Sequence, residues 1–226
     1  MKNKFTALIA VRKGSQRIKN KNIKPFCNSS LLEIKIKQAI KCPLIDEVVV
    51  SSNCDYMLGI AKKYNVITHK RDEYYCSNSV PMNIVYEHLA KNLKCDHIVY
   101  LHVTSPLLKD NSLLKAIQVY KKNIGSYDSL ASVEHFKKYI WYNNKAVNYD
   151  PDNHPRSQDL PDYYSLNFAI NIISQKKMIE KRNIIGDKFY PYHLDEIESI
   201  DVDNKIDFKI AEFLYKEENH ERRNKA

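Results

Sequence analysis

Along the chain, short apolar runs alternate with longer stretches whose apolar residues recur every three or four positions. Residues 6–11, Thr-Ala-Leu-Ile-Ala-Val, read as a buried strand. In residues 30–41, Leu31, Leu32, Ile34, Ile36, Ala39 and Ile40 are spaced as a helix requires rather than a strand. The same reading predicts strands at 47–51, 66–69 and 97–103, and helices at 56–64, 80–92 and 111–122. Strands alternating with helices of about a dozen residues give a parallel sheet covered on both faces. The expectation is an α/β, doubly wound, mostly parallel fold.

Beyond residue 128 the pattern changes. Residues 129–133, 140–142 and 168–173 look like strands, with a polar, Pro-bearing segment at 148–164 between the last two. The stretch of about 129–173 is expected to leave the main sheet as an insertion within a single domain spanning 1–226. The chain returns with a strand at 200–203 and a closing helix at 205–216.

Composition narrows the partners. A length of 226 residues suits one α/β domain, and 36 basic against 27 acidic residues give a formal charge of +9. A positive field attracts nucleic acid, membrane surfaces or small phosphates. No recognition-helix motif and no aromatic-and-basic strand surface accompanies the charge, which argues against nucleic acid. The basic excess gathers at 12–24 and in the tail at 217–226, the latter expected to be solvated and partly frayed. Five dispersed cysteines without a C-x-x-C pair suggest reduced thiols in a cytoplasmic protein. No window approaches ~18 consecutive apolar residues, so no membrane span is expected. The opening apolar run is too short for a signal peptide.

Standard nucleotide fingerprints are missing: there is neither a P-loop nor a G-x-G-x-x-G, and no zinc-like spacing of Cys and His. The strongest local feature follows the first strand, Arg12-Lys-Gly-Ser-Gln-Arg-Ile-Lys-Asn-Lys-Asn22. Ligands of open α/β sheets bind beyond the carboxyl ends of the strands. Gly14 allows close backbone approach there, Ser15 is a donor, and Arg12, Arg17 and Lys21 are cations that could wrap a triphosphate. On composition alone a solvated basic loop is as good a reading. Near the other end, alternation along 200–203 would turn Ile200 and Val202 inward and point Asp201 and Asp203 together. Two such carboxylates repel unless a cation joins them or solvent screens them at an exposed strand end, and Mg2+ takes one or two protein carboxylates with phosphates and water completing its shell. Asn204-Lys-Ile-Asp207 has the spacing of a capping box.

Residues 10–26, Ala-Val-Arg-Lys-Gly-Ser-Gln-Arg-Ile-Lys-Asn-Lys-Asn-Ile-Lys-Pro-Phe, resemble the opening of the acylneuraminate cytidylyltransferases, which make CMP-activated sialic acids. Three further segments follow in that family's order: Val48-Val-Val-Ser-Ser-Asn53, Thr104-Ser-Pro-Leu107, and Ile200-Asp-Val-Asp203 with Asp207 and Ala211-Glu212. The resemblance implies a nucleotide-diphospho-sugar transferase-like fold, with a small β-rich protrusion that forms a homodimer. It also implies that CTP and a sugar acid yield a CMP-sugar and pyrophosphate. Arg12, Ser15, Arg17, Lys21, Asn22 and Arg71 would then hold the nucleotide, with Arg12, Lys21, Asp201 and Asp203 serving catalysis. His102, Thr104, Ser105, Arg156, Gln158 and Asn167 would face the sugar. The hydroxyl's proton would pass to an aspartate or to a metal-bound water.

The chain departs from the family at several of these places. Gln16 stands where the family has Lys, His102 where it has Gln, Leu108 where it has Arg, and Phe168 where it has Gly. The sugar-facing positions thus drift more than the phosphate loop. Two alternatives follow: the same chemistry on another small anionic acceptor, or a nucleotide-binding homologue with impaired turnover.

Overall fold

A computed structural model of the protein describes residues 3–224, with side chains through residue 218. A seven-stranded sheet forms its centre, in the order β5-β4-β1-β6-β10-β7-β11. Its strands are β1 (Phe5–Ala10), β4 (Glu47–Ser52), β5 (Ile67–Lys70), β6 (His97–Leu101), β7 (Ser129–Phe136), β10 (Tyr163–Ser174) and β11 (Phe189–His193). Six run in one direction. Only β10 is antiparallel to its neighbours β6 and β7. The two-residue pairs β2 (Pro25–Phe26) with β3 (Ser29–Ser30) and β8 (Trp141–Tyr142) with β9 (Lys145–Ala146) lie outside it.

Helices cover both faces, and strand alternation decides which residues meet them. Phe5, Ala7 and Ile9 of β1 join the core with α1 (Leu31–Lys41), α2 (Asp55–Lys63), α4 (Asp110–Asn123) and α6 (Lys205–Asn224). Leu8 faces the opposite core, closed by α3 (Met82–Lys91) and α5 (Gln175–Lys181). Burial on both faces explains why β1 and β6 read as continuous apolar runs. Local signals set the helix starts. The Ser30 hydroxyl accepts from the Glu33 amide at 3.3 Å and lies 2.9 Å from the Glu33 carboxylate, so it caps α1. Asn204 and Asp207 form the expected box ahead of α6: Asn204 accepts from the Asp207 amide, and Asp207 from the Asn204 amide.

Three expectations are corrected. β7 and β10 belong to the main sheet, so what leaves it within 129–173 is narrower, essentially the β8–β9 hairpin and the loop up to β10. Residues 200–203 form no strand. They are an extended link into α6, held by the Val202 amide donating to the Thr104 carbonyl at 2.8 Å. The closing helix also runs on to Asn224, so most of the basic tail is helical, and its last two residues lie outside the described ones.

Candidate active site

The sheet has its switch point between β1 and β6. The chain leaves β1 for β4 and β5 on one side, then returns to place β6 on the other. Crevices form at such points beyond the carboxyl ends of the strands. A cleft of about 420 Å³ opens there, walled by Arg12, Ser15, Arg17, Lys21, Asn22, Arg71, His102 and Thr104. Segments far apart in sequence therefore meet in one hollow.

The loop after β1 is shaped by its backbone. Gly14 has φ +90° with nothing within 4 Å of a would-be Cβ, so the left-handed turn is what glycine serves there. Asn20, at φ 56°, takes the left-handed region just before a single 3-10 turn, Lys21–Ile23. The buried Asn22 amide reaches back to the Arg12 carbonyl at 3.3 Å and closes the loop on itself. The loop is pinned outside as well: the Lys13 amide donates to Asn53 at 3.0 Å, and Asn53 donates to Glu73 at 2.7 Å. Asn53, where the resembling family carries an acid, is thus a bridge between two cleft walls.

The cations face the acidic link. Arg17 donates to the Asp203 carboxylate at 2.8 Å, and Lys21 lies 3.7 Å from it while donating to the Val202 carbonyl at 2.6 Å. Burial pulls the Lys21 ammonium below lysine's usual range. Asp203 and Asp201 oppose that pull, and Arg17 reinforces it. Burial raises the Asp201 carboxyl, against the Thr104 side-chain hydrogen bond and with added repulsion from Asp203. Val202 is fully buried, which leaves Asp203 facing Arg17 and Lys21 and Asp201 lining a neighbouring hollow. The carboxylates on either side of Val202 supply hard oxygen donors of the kind a divalent cation takes, with phosphate completing its shell. Among the described residues no three or more His, Cys, Asp or Glu gather into a group that could hold a metal ion by themselves.

Arg71 plays a different part from the one its position suggests. Only 4% exposed, it donates through Nη2 to the Val11 carbonyl at 2.6 Å and through Nε to Cys76 Sγ at 3.0 Å. It is a pillar beneath the cleft as well as part of its wall. Arg71→Met leaves the Val11 carbonyl buried without a donor, so the urea midpoint should fall by the equivalent of ~2–4 kcal/mol.

His102 reaches the cleft with its Nε2 buried and without a partner, beside the rings of Tyr100 and Phe168. Burial, with a smaller push from Lys35, lowers its pKa from 6.5 to about 4. The imidazole is neutral at pH 7. Between those two values the unfolded chain binds a proton that the folded one does not, so stability rises with pH across the window. Denaturant midpoints are expected to fall as pH drops from 6.5 towards 4. His102→Gln should flatten part of that slope, leaving the share of His69, His88, His97 and His193, which burial shifts the same way.

Other expected sugar contacts are not gathered. Ser105 is 1% exposed and lies behind the wall. Asn167 is buried and spent on internal bonds, accepting from Ser132 and the Ala169 amide and donating to Ser199. Arg156 and Gln158 sit on the exposed loop before β10, where Arg156 pairs with Asp159 at 2.7 Å. Phe168 takes φ 56° at the irregularity between β7 and β10, a region costly for a side chain of its kind, and is 38% exposed. It shares a smaller hollow with Leu166, Ser199 and Asp201.

Sequence reasoning missed the wall after β5. Tyr75, Ser77 and Asn78 line the cleft, and Arg12 holds that segment through the Cys76 carbonyl at 2.6 Å. Val80, Met82, Val85 and Tyr100 complete an apolar end. The position of 72–79 beyond a strand's carboxyl end was the available signal.

Comparison with known proteins gives a consistent picture. The profile of a family described as cytidylyltransferase matches residues 6–220. The chain is 29% identical over 232 residues to a pseudaminic acid cytidylyltransferase of Campylobacter jejuni, covering 98% of this chain and 99% of that one. It is 28% identical over 220 residues to an N-acylneuraminate cytidylyltransferase of Oncorhynchus mykiss, covering 93% of this chain and 50% of that longer protein. Among solved structures, a CMP:2-keto-3-deoxy-manno-octonic acid synthetase complexed with CTP superposes with a TM-score of 0.68. It covers 95% of this chain and 99% of its own at 13% identity, a likeness of fold.

Proposed function

The chain belongs to the cytidylyltransferase family, and from that premise we propose that it transfers the cytidylyl group of CTP to a nonulosonic acid, releasing pyrophosphate. The observation that carries this reading is that Arg12, Ser15, Arg17 and Lys21 line one switch-point crevice, with Arg17 and Lys21 also reaching Asp203. The relatives' names supply the acceptor class, a sialic-acid-like sugar acid.

The electrostatic problem is severe, because an anionic acceptor must approach a polyanionic nucleotide while charge grows on the leaving group. The acceptor hydroxyl forms a bond to the α-phosphorus as the bond to the β-phosphate oxygen breaks. The hydroxyl proton passes to an aspartate of the acidic link or to water, and pyrophosphate leaves with the bonding electrons. Arg12, Arg17 and Lys21 are positioned to neutralise the β- and γ-phosphates, and Ser15 to donate to them. Arg17 and Lys21 exchange their present hold on Asp203 for phosphate oxygens. Asp201 and Asp203 would hold Mg2+, which when bound supplies charge neutralisation at the phosphates. Asn22 fixes the loop, and Arg71 supports the wall against which the nucleoside lies. Neutral His102, with its free Nε2, faces the acceptor together with Thr104.

A homodimer is part of the proposal. Trp141, Tyr142, Tyr163 and Tyr164 are each 42% exposed or more around the hairpin and the start of β10. Aromatic surface of this kind is enriched at interfaces. Arg156 and Gln158 stand beside it, where a second copy could take them to its cleft. Light scattering should give twice the chain mass, and Tyr142→Glu should shift it towards the monomer.

The direct test is a panel of sugar acids incubated with CTP and Mg2+, read by mass detection of the CMP product. A product with a nine-carbon keto acid is expected. Product only with an eight-carbon acid, or with none while CTP still binds, would contradict the proposed acceptor.

A further inference from the structure

One charged side chain lies outside every role assigned so far. Lys35 of α1 is 0% exposed, the only buried lysine among the side chains described. Among the described residues its ammonium has no carboxylate partner within salt-bridge range. It donates instead to the Ser105 carbonyl at 2.9 Å and to Gln38 Oε1 at 2.8 Å. Burial lowers its pKa to about 7, with Asp110 opposing. A cation kept in such a place costs free energy unless its hydrogen bonds fix something.

What it fixes is the 102–108 turn, from behind. Gln38, one helical turn along α1, donates to the Leu108 carbonyl at 2.5 Å and to Asp110 at 3.2 Å. The two side chains therefore grip both ends of the Ser105–Leu108 stretch. The front of the same turn carries the acidic link. The Thr104 carbonyl accepts at 2.8 Å from the amide of Val202, the residue between Asp201 and Asp203. On its far side the link is held by Lys21 through the Val202 carbonyl. The chain of contacts is continuous from α1 to the two carboxylates.

We propose that Lys35 is a positioning residue: its ammonium locks the 102–108 turn and thereby sets where Asp201 and Asp203 stand opposite the phosphate loop. The catalytic consequence rests on the reaction proposed above, whereas the structural consequence does not. Without the ammonium, the Ser105 carbonyl and Gln38 Oε1 lose a buried donor. The turn relaxes, and the Val202 amide bond loosens with it.

The experiment compares wild type with Lys35→Met and Lys35→Gln, the second keeping an N–H donor. Hydrogen exchange is followed by mass spectrometry on the enzyme without ligands. In Lys35→Met, peptides containing 105–108 and 202 should exchange at least ~10-fold faster, while peptides of β5 and α3 stay within about twofold. With the best acceptor, kcat should fall by ~10-fold or more and KM for CTP by less than about threefold in either direction. Lys35→Gln should recover a substantial part of both. Uniform acceleration over all peptides would reduce Lys35 to a general stabiliser and overturn the proposal. So would unchanged exchange at 105–108 and 202, or wild-type kcat in a variant whose exchange there has risen. If Lys35→Met does not fold, Lys35→Gln and Gln38→Leu decide by the same local pattern. If no acceptor reacts even in wild type, the reaction assignment fails and the exchange pattern still judges the clamp.

Discussion

Asp203→Ala is expected to lower kcat for pyrophosphate release by about two to three orders of magnitude, the scale on which one electrostatic stabiliser counts in a transition state. Its carboxylate lies against both Arg17 and Lys21, so its removal frees two cations inside the phosphate cleft. Ground-state affinity for CTP should therefore hold or tighten while the rate collapses. That split separates a role in charge handling from a role in folding, which would lower both. Asp203→Asn sharpens the reading, since the amide keeps an oxygen for Arg17 but not the charge. It should remain near the alanine level. Steady-state pyrophosphate release over a Mg2+ titration checks it, and recovery of most of the rate in Asp203→Asn would assign the residue to anchoring Arg17 instead.

Lys21→Met comes next in size. Its ammonium holds the Val202 carbonyl from a side chain only 13% exposed, so it joins the phosphate loop to the acidic link as well as facing the phosphates. Losing it removes a phosphate contact and loosens the link, and kcat/KM for CTP should fall by ~10²–10³-fold with both parameters affected. Lys21→Arg should rescue little, because a planar fork does not fit where a compact ammonium sits beside Val202. Initial-rate kinetics at varied CTP measure this. A loss confined to KM would show that Lys21 only binds.

Much of this site was legible because it depends on local chemistry at strand ends. The uninterrupted runs of β1 and β6 marked buried parallel strands, and the basic loop after β1 had its place fixed by the rule for open sheets. The Asp201/Asp203 pair was read from strand alternation, yet no strand forms. Val202 is buried all the same, held on either side by Thr104 and Lys21, and the acids that flank it stand outside the core. What failed depended on tertiary context. Strands β7 and β10 looked detached because a hairpin interrupts them, although they complete the central sheet. β11 carries Pro191, which an edge strand tolerates and which hid it. Asn167 and Ser105 were expected to face the sugar because the resemblance sets them in the family's motifs, but both are buried and Asn167 is engaged in internal hydrogen bonds. Lys35 could not be recognised at all, since a lysine among apolar helix positions ordinarily carries its charge out to water.

The Gln16 departure keeps its place in the exposed part of the loop, where it lines the cleft next to Arg17. Its neutral amide leaves Arg17 and Lys21 as the cations beside the acidic link. The dependence of the rate on those two residues should therefore be steep, and for Lys21 the consequence is drawn above.

Transfer of the cytidylyl group itself is followed most directly through the α-phosphate. Enzyme, Mg2+ and the best sugar acid are incubated with CTP labelled at the α-phosphorus, and in parallel with CTP labelled at the γ-phosphorus. Label from the first should appear in the CMP-sugar, and label from the second in pyrophosphate, in equal amounts and only when acceptor is present. Release of γ-label as orthophosphate, or pyrophosphate formed without α-label reaching the sugar, would contradict it.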